Sequence, residues 1–227
     1  MKNKLWNKLV GIRNKRKHNK DLLNLSNLYA NKETEMAKRA KVLSNDELVR
    51  AIKYCGGTRY ALRNSCLIMM SFYGGLRVGE IAALTYNDVL DNEGYIKDEV
   101  YLKANQTKGN EGRTLYFSKK LQKALQAYVY AYPSKTEDRR DKLFFSQQKN
   151  GFNANTLTQW FHHFYKKLGI DGASSHSGRR SFVTSLADKG ISVRVIAELV
   201  GHSNISTTQG YIDINDKMLK RAIELAT

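Results

Sequence analysis

Apolar residues recur with helical spacing over most of the chain. Ser44-Asn45-Asp46-Glu47 sets a hydroxyl three residues ahead of a glutamate. That is a capping-box pattern, and it predicts a helix over 46–54. Residues 59–72 predict a second helix, apolar enough to lie in a core and stopped by Gly74-Gly75. A short third helix follows over 78–84. Residues 99–104 and 113–117 have strand character on either side of Gly109 and Gly112, a hairpin signal. Residues 119–130 read as helix ending before Pro133, 142–146 as a short strand, and 155–168 as helix with one apolar stripe. Residues 177–189 form a helix closed by Gly190. Ser192 caps a helix running to 200, and Asn215 caps a terminal one running to 226. The sum is an α+β domain, mainly helical with one small antiparallel sheet and no internal repeat. The boundary falls near 40–45, leaving 1–44 as an arm, partly disordered or helical, and 45–227 as the folded domain.

Composition narrows the function classes. Apolar residues are 41% of the 227, enough for a core, so a wholly disordered chain is excluded. The net charge of +17 argues against a cation-binding protein. Residues 1–44 carry 12 basic and 3 acidic side chains, and Met1 to Lys20 contains no acid. An arm of this kind, with Lys15, Arg16 and Lys17 in its most basic stretch, is either simply solvated or follows the phosphates of a duplex. Both hold if it orders only on DNA. Cys55 and Cys66 are eleven apart with no CxxC, so neither a disulfide framework nor a zinc site is expected, and a reducing cytosol is. The longest apolar run, Cys66 to Tyr73, is about a third of a membrane span. No uncharged stretch near the N-terminus suggests a secretion signal.

No single residue identifies the chemistry; order and spacing do. His176 and Arg179 are three apart and share a helix face. They put an imidazole beside a permanent cation, a pairing suited to phosphate, although a merely solvated first turn has the same pattern. Arg77 sits where Gly74-Gly75 leads into a new helix, where free N–H groups already favour an anion. Its guanidinium offers a fork for phosphate oxygens. The bland alternative is an i,i+3 ion pair with Glu80. Lys108 lies in Gln106-Thr107-Lys108-Gly109, inside the predicted hairpin turn, where an exposed lysine is ordinary. His202 and Tyr211 are nine apart, half a turn out of phase on one helix. Either a loop intervenes, as Gly210 suggests, or the two act in different molecules.

Gly74-Gly75-Leu76-Arg77-Val78-Gly79-Glu80, His176-x-x-Arg179, and Gly201-His202 with Tyr211 nine residues on together resemble the signature of the tyrosine recombinase (phage integrase) family. The order matches, as do the gaps of 3, 23 and 9 residues. The resemblance covers residues 42–225, the family's catalytic domain, and implies that fold. It implies an active-site set of Arg77, Lys108, His176, Arg179, His202 and Tyr211. This sequence departs from the pattern in having Arg180 where the family usually has His. It also has about 44 residues ahead of the catalytic domain, fewer than the family's usual N-terminal helical module needs. That places it nearer to short, single-domain phage-derived integrases and inversion recombinases.

The implied activity is site-specific recombination of double-stranded DNA, bacterial or phage-encoded. Tyr211 would attack a phosphodiester to give a 3′-phosphotyrosyl bond and a free 5′-hydroxyl. One phosphodiester replaces another, so no ATP site is needed, and no Walker motif is present. Arg77 and Arg179 would hold the charge gathering on the non-bridging oxygens, with neither metal nor cofactor. Lys108 would protonate the leaving oxygen, His176 would take the tyrosine proton, and His202 would hydrogen-bond the phosphate. Strand exchange implies a homotetramer on DNA, with possible accessory DNA-bending proteins and no membrane. The amphipathic 215–227 segment either packs on its own core or docks on a neighbour. Two other readings remain: a type IB topoisomerase-like nicking-closing enzyme, and a non-catalytic DNA-binding regulator.

Overall fold

The computed structural model describes residues 40–107, 111–148, 150–212 and 216–224. They form α1 (Asn45–Gly56), α2 (Ala61–Tyr73), α3 (Val78–Ala83), α4 (Tyr86–Val89), β1 (Glu99–Leu102), β2 (Arg113–Tyr116) and α5 (Lys119–Ala131). After these come α6 (Ala154–Lys167), α7 (Ser177–Asp188), α8 (Val193–Val200), α9 (Ile205–Gln209) and α10 (Asp216–Glu224). Ala40–Thr227 is one compact unit.

α1 begins where the sequence says it should. Ser44 accepts from the Glu47 N–H at 3.1 Å, and the Glu47 carboxylate accepts from the Ser44 N–H at 3.0 Å. That closed pair satisfies two otherwise orphaned donors. α2 is apolar on nearly every side, so it lies at the centre. Leu67, Ile68 and Met70 are fully buried, each stabilising the fold by about 1.5–3 kcal/mol. α1, α5 and α7 pack around it. β1 and β2 form an antiparallel pair with Glu99 opposite Tyr116 and Leu102 opposite Arg113. Val100, Leu102 and Leu115 point into the core. Cys55 and Cys66 are buried and free.

Two buried clusters result among the described residues. The large one runs from Leu43 to Ile170. The small one holds Val183, Ala187, Ile196 and Val200, with Phe182, Leu186, Tyr211 and Ile212 against it. No helix among the described residues is long and apolar enough to cross a membrane.

The strand expected over 142–146 does not form. Lys142 bridges Thr85, and Phe145 bridges Gly151, each in isolation. Leu143 and Phe144 are both buried, so the stretch lacks the alternation of a strand with one wet face. The Asn215 cap lies outside the described residues.

Candidate active site

α2 ends at Gly74, and Gly75 takes φ +61° to turn the chain. A Cβ at Gly75 would also strike the Phe182 ring at 2.5 Å. The turn delivers Arg77 to the start of α3. Glu80, one turn on, is 1% exposed and is the hub of the site. Its carboxylate takes Arg77 Nη1 at 2.9 Å and the Arg77 backbone N–H at 2.7 Å. It also takes Arg113 Nε at 3.1 Å and Nη2 at 2.7 Å from β2. Arg179 Nη1, on α7, is 3.9 Å away. Three guanidiniums thus share one carboxylate. The i,i+3 pair of Arg77 with Glu80 exists, but as one edge of a cluster with surplus positive charge.

The same arginines hold the end of α8. Arg113 Nη1 donates to the Leu199 carbonyl at 2.7 Å, Arg179 Nη2 to that of Val200, and Arg77 Nη2 to that of Gly201 at 2.8 Å. These are carbonyls that a helix C-terminus leaves without intrahelical partners, at the negative end of its dipole. Arg179 Nη1 also donates to Gly75 O at 2.6 Å. Gly201 closes α8 with φ +63°, and a Cβ there would meet the Arg113 side chain at 2.4 Å. His202 follows directly.

His202 and Tyr211 meet within one molecule. The intervening α9 turns the chain back, and the two rings stack at 5.9 Å with 23° between planes. His202 Nδ1 shares a hydrogen bond of 2.7 Å with Thr208 Oγ1. Burial, then the charges of Arg179, Arg77 and Arg113, pushes the imidazole down to about 4, so it is neutral at pH 7. Burial and the neighbouring Arg77 lower Arg179 to about 9, which leaves it charged. Burial alone would raise Glu80; the Arg113 hydrogen bonds and charge outweigh it, with the Arg77 N–H and Arg179, and hold the carboxyl below its usual range.

The structure therefore gathers Arg77, Arg179, His202 and Tyr211. His176 is exposed at the residue before α7, three ahead of Arg179. Lys108, Lys15, Arg16 and Lys17 lie outside the described residues. Sequence reasoning missed Arg113, which is 33 positions from Glu80 with no local pattern to link them. It noted Arg180 only as a departure. The Arg180 guanidinium stands over the Tyr211 ring at 5.8 Å, and its Nη1 donates to Ala40 O at 2.7 Å. Its buried Nε has no hydrogen-bond partner. Among the described residues no group of three or more His, Cys, Asp or Glu is placed to hold a metal.

The family model for the phage integrase family matches residues 41–218. This chain belongs to that family. The match spans every described residue of the arginine cluster, His202 and Tyr211. Among relatives, tyrosine recombinase XerA of Pyrococcus horikoshii is 29% identical over 194 residues, which is 82% of this chain and 61% of the relative. The chain thus spans about three fifths of that protein. The crystal structure of XerA recombinase superposes with a TM-score of 0.65 at 27% identity, covering 82% of this chain and 64% of that one. A Tn1549 transposon integrase in complex with a circular intermediate DNA shares the fold, with a TM-score of 0.63 at 19% identity over 83% of this chain and 66% of that one.

Proposed function

We propose that this chain is a site-specific recombinase that cuts and rejoins double-stranded DNA through Tyr211. One observation carries the reading: three arginines share a single buried carboxylate beside a stacked His202–Tyr211 pair. Such a cluster suits a phosphodiester, whose transition state gathers negative charge on its non-bridging oxygens. The Tyr211 phenol oxygen forms a bond to phosphorus as the bond to the 5′-oxygen breaks. The phenolic proton goes to His176, and the leaving oxygen takes one from Lys108. With Nδ1 accepting the Thr208 hydroxyl, neutral His202 carries its proton on Nε2 and donates to the phosphate. Arg77 and Arg179 hold the remaining charge, each contributing about 3 kcal/mol in the manner of oxyanion-hole donors.

Further parts of the reading concern assembly. Leu219 and Ile223 on α10 are 56% and 69% exposed, which supports docking of this helix on a neighbouring copy and a homotetramer on DNA. The arm over 1–44, with Lys15, Arg16 and Lys17, follows backbone phosphates ahead of the catalytic domain over 45–227. The working place is the cytoplasm, the protein being bacterial or phage-encoded, with accessory DNA-bending proteins assisting. The names of the relatives favour recombination over the topoisomerase-like and regulator readings.

The test is covalent trapping on a pool of nicked random-sequence duplexes, read on denaturing gels. The unsubstituted protein forms an adduct that peptide mapping places on Tyr211, and Tyr211→Phe forms none. An adduct in the Phe variant, or none in either protein, overturns the reading.

A further inference from the structure

α2 has a second cationic region at its other end, about 18 Å from Gly74 for a helix of this length. A hollow of about 460 Å³ opens there, lined in part by Arg59, Arg63, His163 and Lys167, with Tyr60 and Trp160 among its aromatic walls. None of its described lining residues is acidic.

Arg63 is the feature that needs explaining. It is 1% exposed, yet no ion pair among the described residues includes it. Its Nε and Nη2 donate to Asn64 Oδ1 at 3.1 and 2.9 Å, and Nη1 donates to Phe145 O at 3.0 Å. Its guanidinium lies over the rings of Tyr60, Phe145 and Phe152 at 4.4, 5.1 and 5.4 Å. The Asn64 amide is itself fixed, donating to Thr58 Oγ1 at 2.8 Å. These partners solvate the charge without neutralising it. A buried charge with no counter-charge is expensive, and Arg59 and Lys167 add like charge to the same walls.

We propose that this hollow is a phosphate-binding site, separate from the cluster around Glu80. The anion would supply the counter-charge that Arg63 lacks among the described residues. Arg59 and Lys167, both exposed at the rim, would close on it, and the Tyr60 and Trp160 rings would take the sugar or base attached to it. The phosphate belongs either to the backbone of a duplex or to a free nucleotide. The site stands on these observations alone and does not depend on the recombinase reading.

Trp6 and Trp160 are the two tryptophans of the chain, so Trp6→Phe makes Trp160 a reporter in the wall. Its emission is followed while inorganic phosphate, a nucleoside monophosphate and a short duplex are titrated separately into the full chain. We expect a saturable change with inorganic phosphate, and a midpoint raised about tenfold in the Arg59→Ala/Lys167→Ala double variant. A duplex source shows as displacement of phosphate by duplex, and a salt slope lower by about 1–2 in the double variant. A nucleotide source shows as tighter binding of the monophosphate with duplex inert. Either result supports the site. No saturable change with any of the three probes, or a change that the double variant leaves intact, overturns it. An intact phosphate response with no duplex binding anywhere on the protein would sink the recombinase reading instead.

Discussion

The two halves of the candidate active site rest on very different foundations. Arg77, Glu80 and Arg113 come from α3 and β2, which are seated on the large cluster through fully buried Leu76, Ile81 and Leu115. His202 and Tyr211 follow α8 and α9, seated on a cluster with four buried side chains among the described residues. Local stability follows buried apolar contact, so segments with less of it open at lower cost. The anion-holding half is therefore the fixed one. The tyrosine-bearing half joins it through α7, whose Val183 and Ala187 lie in the small cluster, and through arginine side chains gripping the last carbonyls of α8. On the function proposed above, a nucleophile that must engage and release a strand gains from that arrangement.

The largest expected effect tests the hub. Glu80→Ala removes the carboxylate that three guanidiniums share and should cost about 3–5 kcal/mol in urea unfolding. A loss below about 1 kcal/mol would show that the carbonyls alone carry the arginines. Next comes the small cluster. Ile196→Ala should cost about 2–4 kcal/mol, felt locally. Amide hydrogen exchange should quicken over 193–212 and barely change in α2. Equal acceleration in α2 would mean that the two clusters open as one unit.

A subtler probe is Arg180→Met, which keeps the stem and removes the charge over the Tyr211 ring. A cation beside the attacking oxygen favours the charge that changes there in the transition state. Adduct formation should slow about tenfold, about 1.4 kcal/mol. An unchanged rate would assign Arg180 to the Ala40 contact alone. The last probe is titration of His202. Its folded value of about 4 lies below the ordinary 6.5, so the unfolded chain takes up the proton first. Stability should fall as pH drops from about 6.5 towards 4, and His202→Gln should flatten that stretch. The Glu80 contribution, with its carboxyl held low, is lost only at more acid pH, below its ordinary 4.5. A curve equally steep in the Gln variant would place the titration elsewhere.

Much of this was legible in the chain, for physical reasons. Ser44 and Glu47 announce α1 because a capping box is a local, reciprocal contact. β1 is legible because burial alternates along 99–102, matching a single wet face, whereas 113–116 buries only Leu115 and is marked as strand by the glycines ahead of it. Arg77, Arg179, His202 and Tyr211 stand out by spacing, and they do converge. Their coordination is not local. Arg113 meets Glu80 only once the hairpin packs beside α3, and no periodicity encodes that meeting. α9 is five residues of Ile, Ser, Thr and Gln, too short for a helical stripe to show. It is nevertheless what brings His202 and Tyr211 face to face, settling within one molecule a question that their nine-residue separation leaves open.

The grip on Leu199, Val200 and Gly201 makes α8 a measured spacer. Three consecutive acceptors, the last turned out of helical phase by the left-handed Gly201, must meet donors fixed on three other segments. Adding or deleting one residue between Val193 and Val200 would rotate the whole set out of phase and carry Tyr211 with it. Side chains on the outer face of α8 can be exchanged without altering this register, whereas its number of residues cannot.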